Sequence, residues 1–345
     1  MDKRDIKNFT LEEIKKAVVE IREPSYRAEQ IFFWLYKRGV CDFQEMSNLS
    51  QGFRSGLEQN YYISALSLAG KLSSTDGTEK FLFNLGDGNF IETVLICARN
   101  RKTVCLSTQV GCKFGCVFCA SGHGGFIRDL SPSEIINQIL FLKHKLKHEI
   151  TNYVFMGMGE PLDNCDNVLK AIMVMNSKSG MDIGARRITV STCGVTPGIR
   201  RLRDLGLQIN LSISLHAVTD NLRDTLVPAN RSYPLKELIE AGEHFTKKTG
   251  RILTLEYVLI KGKNDSLEDA YGLEAIAGRL KAKVNLIPCS PVPGLGFQPP
   301  SKNSIDVFMD KLIQGGIKVT RRESKGRDIQ AACGQLAGRL KQKAR

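Results

Sequence analysis

Cys112-Lys113-Phe114-Gly115-Cys116-Val117-Phe118-Cys119 places three thiols within eight residues, in the spacing CxxxCxxC. The apolar stretch Thr103–Thr108 just before it reads as a strand, so the thiols fall on a loop at that strand's C-terminal end. Three thiolates on one short loop can take three corners of an iron–sulfur cube and leave the fourth iron open to a further ligand. A structural zinc site takes four ligands, usually in two pairs, and no second Cys/His pair lies nearby in the chain. The rival from another class is a zinc-stabilised RNA-binding protein without catalytic activity.

Downstream of this loop, short apolar stretches alternate with helical patterns. The candidate strands are Thr103–Thr108, Tyr153–Met156, Arg187–Ser191, Gln208–Ser214, Leu253–Ile260, Lys283–Ile287 and Ile317–Arg321. They are rich in Val, Ile and Leu, as strands buried on both faces are. Between them, Ser131-Pro132-Ser133-Glu134 is a capping box with proline at the first helical position, predicting a helix to about His148. Asp265 with Glu268 repeats the box logic, and Thr196-Pro197 starts another helix. The alternation predicts an α/β chain with parallel strands and helices outside, either a partial or complete (β/α) barrel or a doubly wound sheet. In both, the active site lies at the C-terminal ends of the strands.

Upstream, Lys80–Leu85 and Phe90–Cys97 flank Gly86-Asp87-Gly88-Asn89 and read as a β-hairpin. Further back, Leu11, Ile14, Val18 and Ile21 recur at helical spacing, and a second helical run spans Ala28–Lys37. The expected division is an N-terminal helical accessory domain over 1–60, a β-hairpin and linker over 61–100, and a barrel over 101–345 that ends in a basic segment.

The 345 residues include 49 Lys+Arg and 36 Asp+Glu, a formal charge of +13. Residues 1–60 hold ten of each sign, so the whole excess lies beyond them. Residues 316–345 hold nine basic residues against Glu323 and Asp328, and Lys178, Arg186, Arg187, Arg200, Arg201 and Arg203 form a second group. Such clusters suit phosphate contacts on a polyanion. A hydrophobic content of 42% argues against disorder. No apolar run approaches the roughly 18–20 residues of a membrane span. The opening MDKRDIKNFTLEEIKK lacks the apolar segment of a signal peptide. A cytoplasmic monomer with no membrane partner and with reduced cysteines is therefore expected.

Five stretches extend the cysteine motif: Phe90-Ile91-Glu92-Thr93-Val94, Leu106–Cys112, Gly157-Met158-Gly159-Glu160-Pro161-Leu162, Ser212–Ala217 and Asp328–Leu336. With them the chain resembles the radical S-adenosylmethionine (SAM) superfamily. More closely, it resembles the bacterial dual-specificity ribosomal and transfer RNA adenine-C2 methyltransferases. The resemblance implies a partial (β/α) barrel of radical-SAM type and one [4Fe-4S] cluster on Cys112, Cys116 and Cys119. It implies two SAM molecules per turnover, contacted by Gly159, Glu160, Ser191, Ser214, Leu215, His216 and Ser290. Ser290 stands where the family has asparagine in an Ile-Pro-x-Asn-Pro segment, and serine lacks the amide's reach and second donor. His216 taken alone reads more often as a satisfied core histidine.

The resemblance further implies catalytic roles for Cys333, Cys105 and Glu92. Cys333 would carry a methyl group, Glu92 would remove a proton, and Cys105 would release the product and leave a Cys105–Cys333 disulfide. A reductant would serve both the cluster and that disulfide. The substrates implied are an adenosine of 23S rRNA near the peptidyl-transferase centre and the tRNA adenosine 3′ of the anticodon. Methylation at adenine C8 of the same ribosomal nucleotide is the nearest alternative. The N-terminal helices and the basic C-terminal segment would clamp the RNA over the barrel mouth. Cys41, Cys97, Cys165, Cys193 and Cys289 match no such role and read as structural.

Overall fold

The computed structural model describes residues 3–338. Short strands β1 (Arg4–Asp5) and β2 (Tyr61–Tyr62) pair in parallel and bracket three helices, α1 (Leu11–Glu20), α2 (Arg27–Phe32) and α3 (Gln51–Asn60). Thr10 and Glu13 close a capping box on α1, and a π-helical turn over Phe33–Arg38 prolongs α2. That turn carries the second helical run of the sequence to its expected length.

A meander follows, with β3 (Ser67–Ser73), β4 (Glu79–Asn84), β5 (Phe90–Ala98) and β6 (Arg101–Cys105) each antiparallel to the next. The expected hairpin is β4–β5, turning through residues 85–89. Beyond β6 the chain makes a small antiparallel pair, β7 (Gln109–Gly111) with β8 (Phe126–Asp129), which encloses the cysteine loop and a single helical turn, α4 (Ala120–His123). Strands β9 (Asn152–Phe155), β10 (Ile188–Thr192), β11 (Asn210–Ser214), β12 (Thr254–Leu259), β13 (Lys283–Pro288) and β14 (Val319–Arg321) then add in parallel, starting from β6. The result is one ten-stranded sheet ordered β14-β13-β12-β11-β10-β9-β6-β5-β4-β3. Its seven parallel strands form an open (β/α) barrel, and the antiparallel meander extends one edge.

Each crossover carries helix on the outside: α5 (Pro132–Leu140), α6 (Cys165–Asn176), α7 (Thr196–Asp204), α8 (Asp220–Leu226), α9 (Leu235–Thr249), α10 (Leu267–Leu280) and α11 (Lys302–Gln314). The Ser131/Glu134 box caps α5 as expected, but regular α-helix ends at Leu140 and a π turn over Phe141–Lys145 carries the chain on. The box of α10 is formed by Ser266 and Asp269, one residue beyond the expected Asp265 and Glu268. Serine accepts the backbone N–H of Asp269, while Asp265 instead caps the turn at Gly262.

The N-terminal helices share their core with the barrel. One cluster of buried side chains runs from Ile6, Ile31, Phe32 and Tyr36 through Phe81 and Phe83 to Ile139, Leu255 and Leu336. Burial of each large apolar side chain contributes about 1.5–3 kcal/mol. Lys7 is enclosed in the same contact, donating to Ser64 O at 2.8 Å and Asn137 Oδ1 at 3.0 Å.

Candidate active site

The seven parallel strands end at one mouth, and Cys105, Gly159, Glu160, Ser191, Ser214, Leu215, His216 and Ser290 lie on or just beyond those ends, while Glu92 lies on antiparallel β5 and Cys333 on the C-terminal segment. Beneath the mouth is a cavity of about 780 Å³ lined by Cys105, Cys119, Met156, Gly157, Ser212, Glu256, Arg322, Ser324 and Cys333, among others. Cys105 closes β6 and is buried. Burial, and then the neighbouring Cys333 thiol, push its thiol up to about 12, while the Arg322 charge and the Met156 N–H pull the other way. Cys333 is exposed on the C-terminal segment. Chain segments far apart in sequence thus bring Cys105, Cys333 and Cys119 to one cavity.

The C-terminal segment is tied down along its length. Asp76 accepts from Gly326 N at 2.9 Å, Lys80 donates to Gln330 O at 3.1 Å, and Ala120 N donates to Gly334 O at 2.7 Å. Ser121 donates to Leu336 O at 2.6 Å. Glu92 holds the last described residues, accepting from Ala337 N at 2.6 Å and Gly338 N at 3.0 Å, and it pairs with Lys80 at 2.8 Å in full burial. Successive side chains alternate faces along a strand, so Glu92 shares its face with Val94 and Ile96. Those two line the cavity, whereas Glu92 lies one pleat further up, beneath residues 337–338. Arg339, Lys341, Lys343 and Arg345 of the basic segment lie outside the described residues.

The three motif cysteines are each half-buried. The loop is pinned by Cys112 N to Gly125 O at 3.0 Å and Val117 N to Leu226 O at 3.2 Å. A side chain at Gly111, where φ is +77°, would collide with Gly125 O, so that crossing requires glycine. Burial pushes all three thiols up, Cys112 to about 12, and each also feels a neighbouring motif thiol or Cys333.

Glu160, after β9, is buried and accepts from Leu162 N at 3.0 Å and Cys193 N at 2.8 Å through its two oxygens. Burial raises its carboxyl, and those N–H donors oppose the rise. Gly159 has φ +92°, and a Cβ there would lie 2.4 Å from Gln109 Cβ. The close approach that these glycines permit is therefore to the chain's own β6–β7 segment. Ser191 and Ser214 meet at 3.5 Å between adjacent strands. Leu215 is buried beside them.

His216 is buried in the left-handed region at φ +60°. Its Nδ1 accepts from Val258 N at 3.0 Å, so the proton of the neutral ring is on Nε2. Burial, and then the Arg223 charge, hold its pKa down near 3. Phe118 of the cysteine loop packs edge-on against this ring at 5.1 Å. Ser290, two residues beyond β13, donates to Ser324 at 3.1 Å.

Some expectations need correction. The basic group Lys178–Arg203 lies around the N-terminal end of β10 and on α7, away from the mouth. Three of its members are already paired: Arg200 with Glu237, Arg201 with Asp166 and Arg203 with Asp204. Cys41 is exposed and fills no core position, whereas Cys165, Cys193 and Cys289 are buried. Sequence reasoning also missed Arg223, on the sheet-facing side of α8, and Lys80. The available signal for Arg223 was its spacing, three and four residues before the apolar pair Leu226–Val227.

Residues 106–273 match the family model for the radical SAM superfamily. Residues 4–63 match the model for a ribosomal RNA large subunit methyltransferase N-terminal domain. A dual-specificity RNA methyltransferase RlmN from Geotalea uraniireducens is 45% identical, over 99% of this chain and 98% of the relative. The chain belongs to the RlmN family. A probable RlmN from Clostridium perfringens is 43% identical over 96% of both chains. The crystal structure of a radical SAM methyltransferase from Sphaerobacter thermophilus superposes with a TM-score of 0.91 at 41% identity, covering 97% of this chain and all of that one.

A radical SAM enzyme of the RlmN family uses a [4Fe-4S] cluster and SAM. The donor set here fits that group. Three soft thiols share one short loop, and the N–H groups of Phe114, Ser121 and Gly122 point at the sulfurs of Cys112 and Cys119. Burial disfavours the thiolate form of these cysteines, and coordinated iron, a strong cation, would favour it.

Proposed function

We propose that this RlmN-family enzyme methylates C2 of adenine in 23S rRNA at the peptidyl-transferase centre and in tRNA 3′ of the anticodon, consuming two SAM per turnover. The observation that carries the reading is the shared cavity of Cys105, Cys333 and Cys119. It brings two thiols with no ligand role against the cysteine loop. When bound, the cluster on Cys112, Cys116 and Cys119 supplies the electron that cleaves SAM to a 5′-deoxyadenosyl radical. Gly159, Glu160, Ser191, Ser214, Leu215, His216 and Ser290 surround SAM in this reading. The buried Glu160 carboxyl offers its remaining lone pairs to the ammonium group.

Adenine C2 carries no acidic proton and is a poor nucleophile, so direct attack on a methyl sulfonium is unfavourable. Cys333 first takes a methyl group from one SAM as a thiolate. Transfer of a hydrogen atom from that S-methyl group to the 5′-deoxyadenosyl radical makes a carbon radical that bonds to C2, and once the adduct has given one electron to an external one-electron acceptor a thioether links Cys333 to the RNA. Glu92 removes the C2 proton, and the Cys105 thiolate attacks the Cys333 sulfur. As the Cys105–Cys333 disulfide forms, the sulfur–carbon bond breaks, the released methylene carbon takes a proton to become the methyl group, and an external thiol or electron donor must reduce the disulfide. Residues 1–60, with 61–100 linking them to the barrel, act as an accessory domain that clamps the unstacked RNA together with the basic C-terminal segment.

Anaerobic incubation of the reconstituted enzyme with rRNA and tRNA, followed by mass spectrometry of digested nucleosides, tests this. 2-Methyladenosine in both RNAs is expected. 8-Methyladenosine alone would replace this reading with the C8 activity.

A further inference from the structure

Arg223 is among the largest side chains with no solvent exposure. Its guanidinium donates to Leu215 O at 2.9 Å, Asn230 Oδ1 at 2.9 Å, Cys193 O at 2.6 Å and Ser214 O at 3.1 Å. Every one of these acceptors is neutral. A guanidinium stays charged in proteins, and a buried charge is ordinarily matched by an opposite charge close by. Asp220 and Asp224 reach it only at second hand, accepting from Asn230 Nδ2 at 2.9 and 2.7 Å.

The helix that carries Arg223 packs against the cysteine loop. Val117 N of that loop donates to Leu226 O on the last residue of α8, the helix that carries Arg223. Phe114, Cys116, Val117 and Phe118 pack against Cys193, Leu226 and Val227 in one apolar cluster. Cys193, whose carbonyl Arg223 binds, lies in that same cluster against Cys116. The carbonyls it binds end strands β10 and β11, whose Ser191 and Ser214 belong to the proposed SAM site.

We propose that Arg223 is the counter-charge of the iron–sulfur cluster, and that the relay Asp220/Asp224–Asn230–Arg223 sets how readily the cluster accepts an electron. This rests on the reading that Cys112, Cys116 and Cys119 hold the cluster. Reduction adds one negative charge to the cluster, delivered by a low-potential external donor. A fixed cation nearby favours the reduced state and a fixed anion disfavours it. Arg223 is thus a positioning and electrostatic residue, with four hydrogen bonds that fix its charge between the loop and the strand ends.

The test is an anaerobic redox titration of the reconstituted full chain with dithionite, followed by electron paramagnetic resonance of the reduced cluster. Arg223→Gln should move the midpoint potential to more negative values, and Arg223→Lys should stay nearer the wild type. Asp224→Asn, on the outer end of the relay, should move it the opposite way. Opposite shifts are the diagnostic result, since mere loosening of the loop would move both variants alike. If Arg223→Gln fails to hold iron, Asp224→Asn and Arg223→Lys decide the matter. Unchanged potentials, or shifts of one sign in both charge-removing variants, would overturn the proposal. Wild-type chain that takes up no cluster iron and sulfide would instead overturn the ligand assignment beneath it, so the two failures are distinguishable.

Discussion

Cys333 is exposed at the mouth of the cavity and Cys105 is buried within it, and their environments suit different tasks. An exposed thiol can meet SAM, whereas a thiol pushed up to about 12 stays protonated and quiet until a substrate-bound sulfur is presented to it. Cys333→Ala should therefore abolish methyl transfer while leaving iron and sulfide content at the wild-type level, measured on the same anaerobic preparation. His216 gives a pH-dependent prediction. Its folded pKa near 3 is below the unfolded value of about 6.5, so the unfolded chain binds more protons between those limits. Stability should fall with pH across that window, by about 1 kcal/mol between pH 7 and pH 5.5. His216→Asn, which tolerates the left-handed backbone, should lose most of that sensitivity in paired denaturant melts. The spacing of the cysteines was legible in the sequence because coordination needs particular residue types at short range. Arg223 and Lys80 were hidden because an isolated basic residue on a helix or strand reads as a solvated one, and only the tertiary packing shows each enclosed.

Strand ends carry the site, and the turns that deliver them depend on backbone shape. At Gly159 a side chain would meet Gln109 and also require φ +92°, so Gly159→Ala should lose most cluster incorporation and several degrees of Tm. Gly184, with φ −58° and open space around its Cα, is the control. Gly184→Ala should leave Tm unchanged or slightly raised, because it reduces only the freedom of the unfolded chain. The parallel strands were legible from their apolar runs to within one to three residues at most ends. β3, with its mostly exposed side chains, was not, and neither was the β7–β8 pair around the cysteine loop. Both are held by backbone pairing with neighbours, which leaves little pattern in composition. The π turns after α2 and α5 have the same periodic appearance as the helices they extend.

The molecule as a whole combines a core that runs through residues 1–60 with a positive charge that lies beyond them. Ile6, Phe32 and Tyr36 are part of the common core, so deleting the N-terminal segment would strip the barrel of packing as well as of any RNA contact. Charge substitution isolates the second effect. Lys325→Gln and Arg327→Gln on the described part of the basic segment should each weaken tRNA binding. Each should also reduce the slope of log affinity against log salt by about one if its charge meets a phosphate. Among the described residues no helix is long and apolar enough to cross a membrane. The net charge was legible at once, but its distribution was not, since ion pairs on α7 cancel part of what the sequence presents as a cluster.

In the proposed mechanism Cys333 carries the carbon to adenine and Cys105 releases it. The decisive experiment turns Cys105→Ala over anaerobically with tRNA and SAM and then digests the products with nuclease and protease. The expected product is a peptide containing Cys333 joined through one methylene carbon to adenosine at C2, identified by tandem mass spectrometry. Free methylated tRNA from that variant at the wild-type rate, or a crosslink borne by another cysteine, would contradict that mechanism.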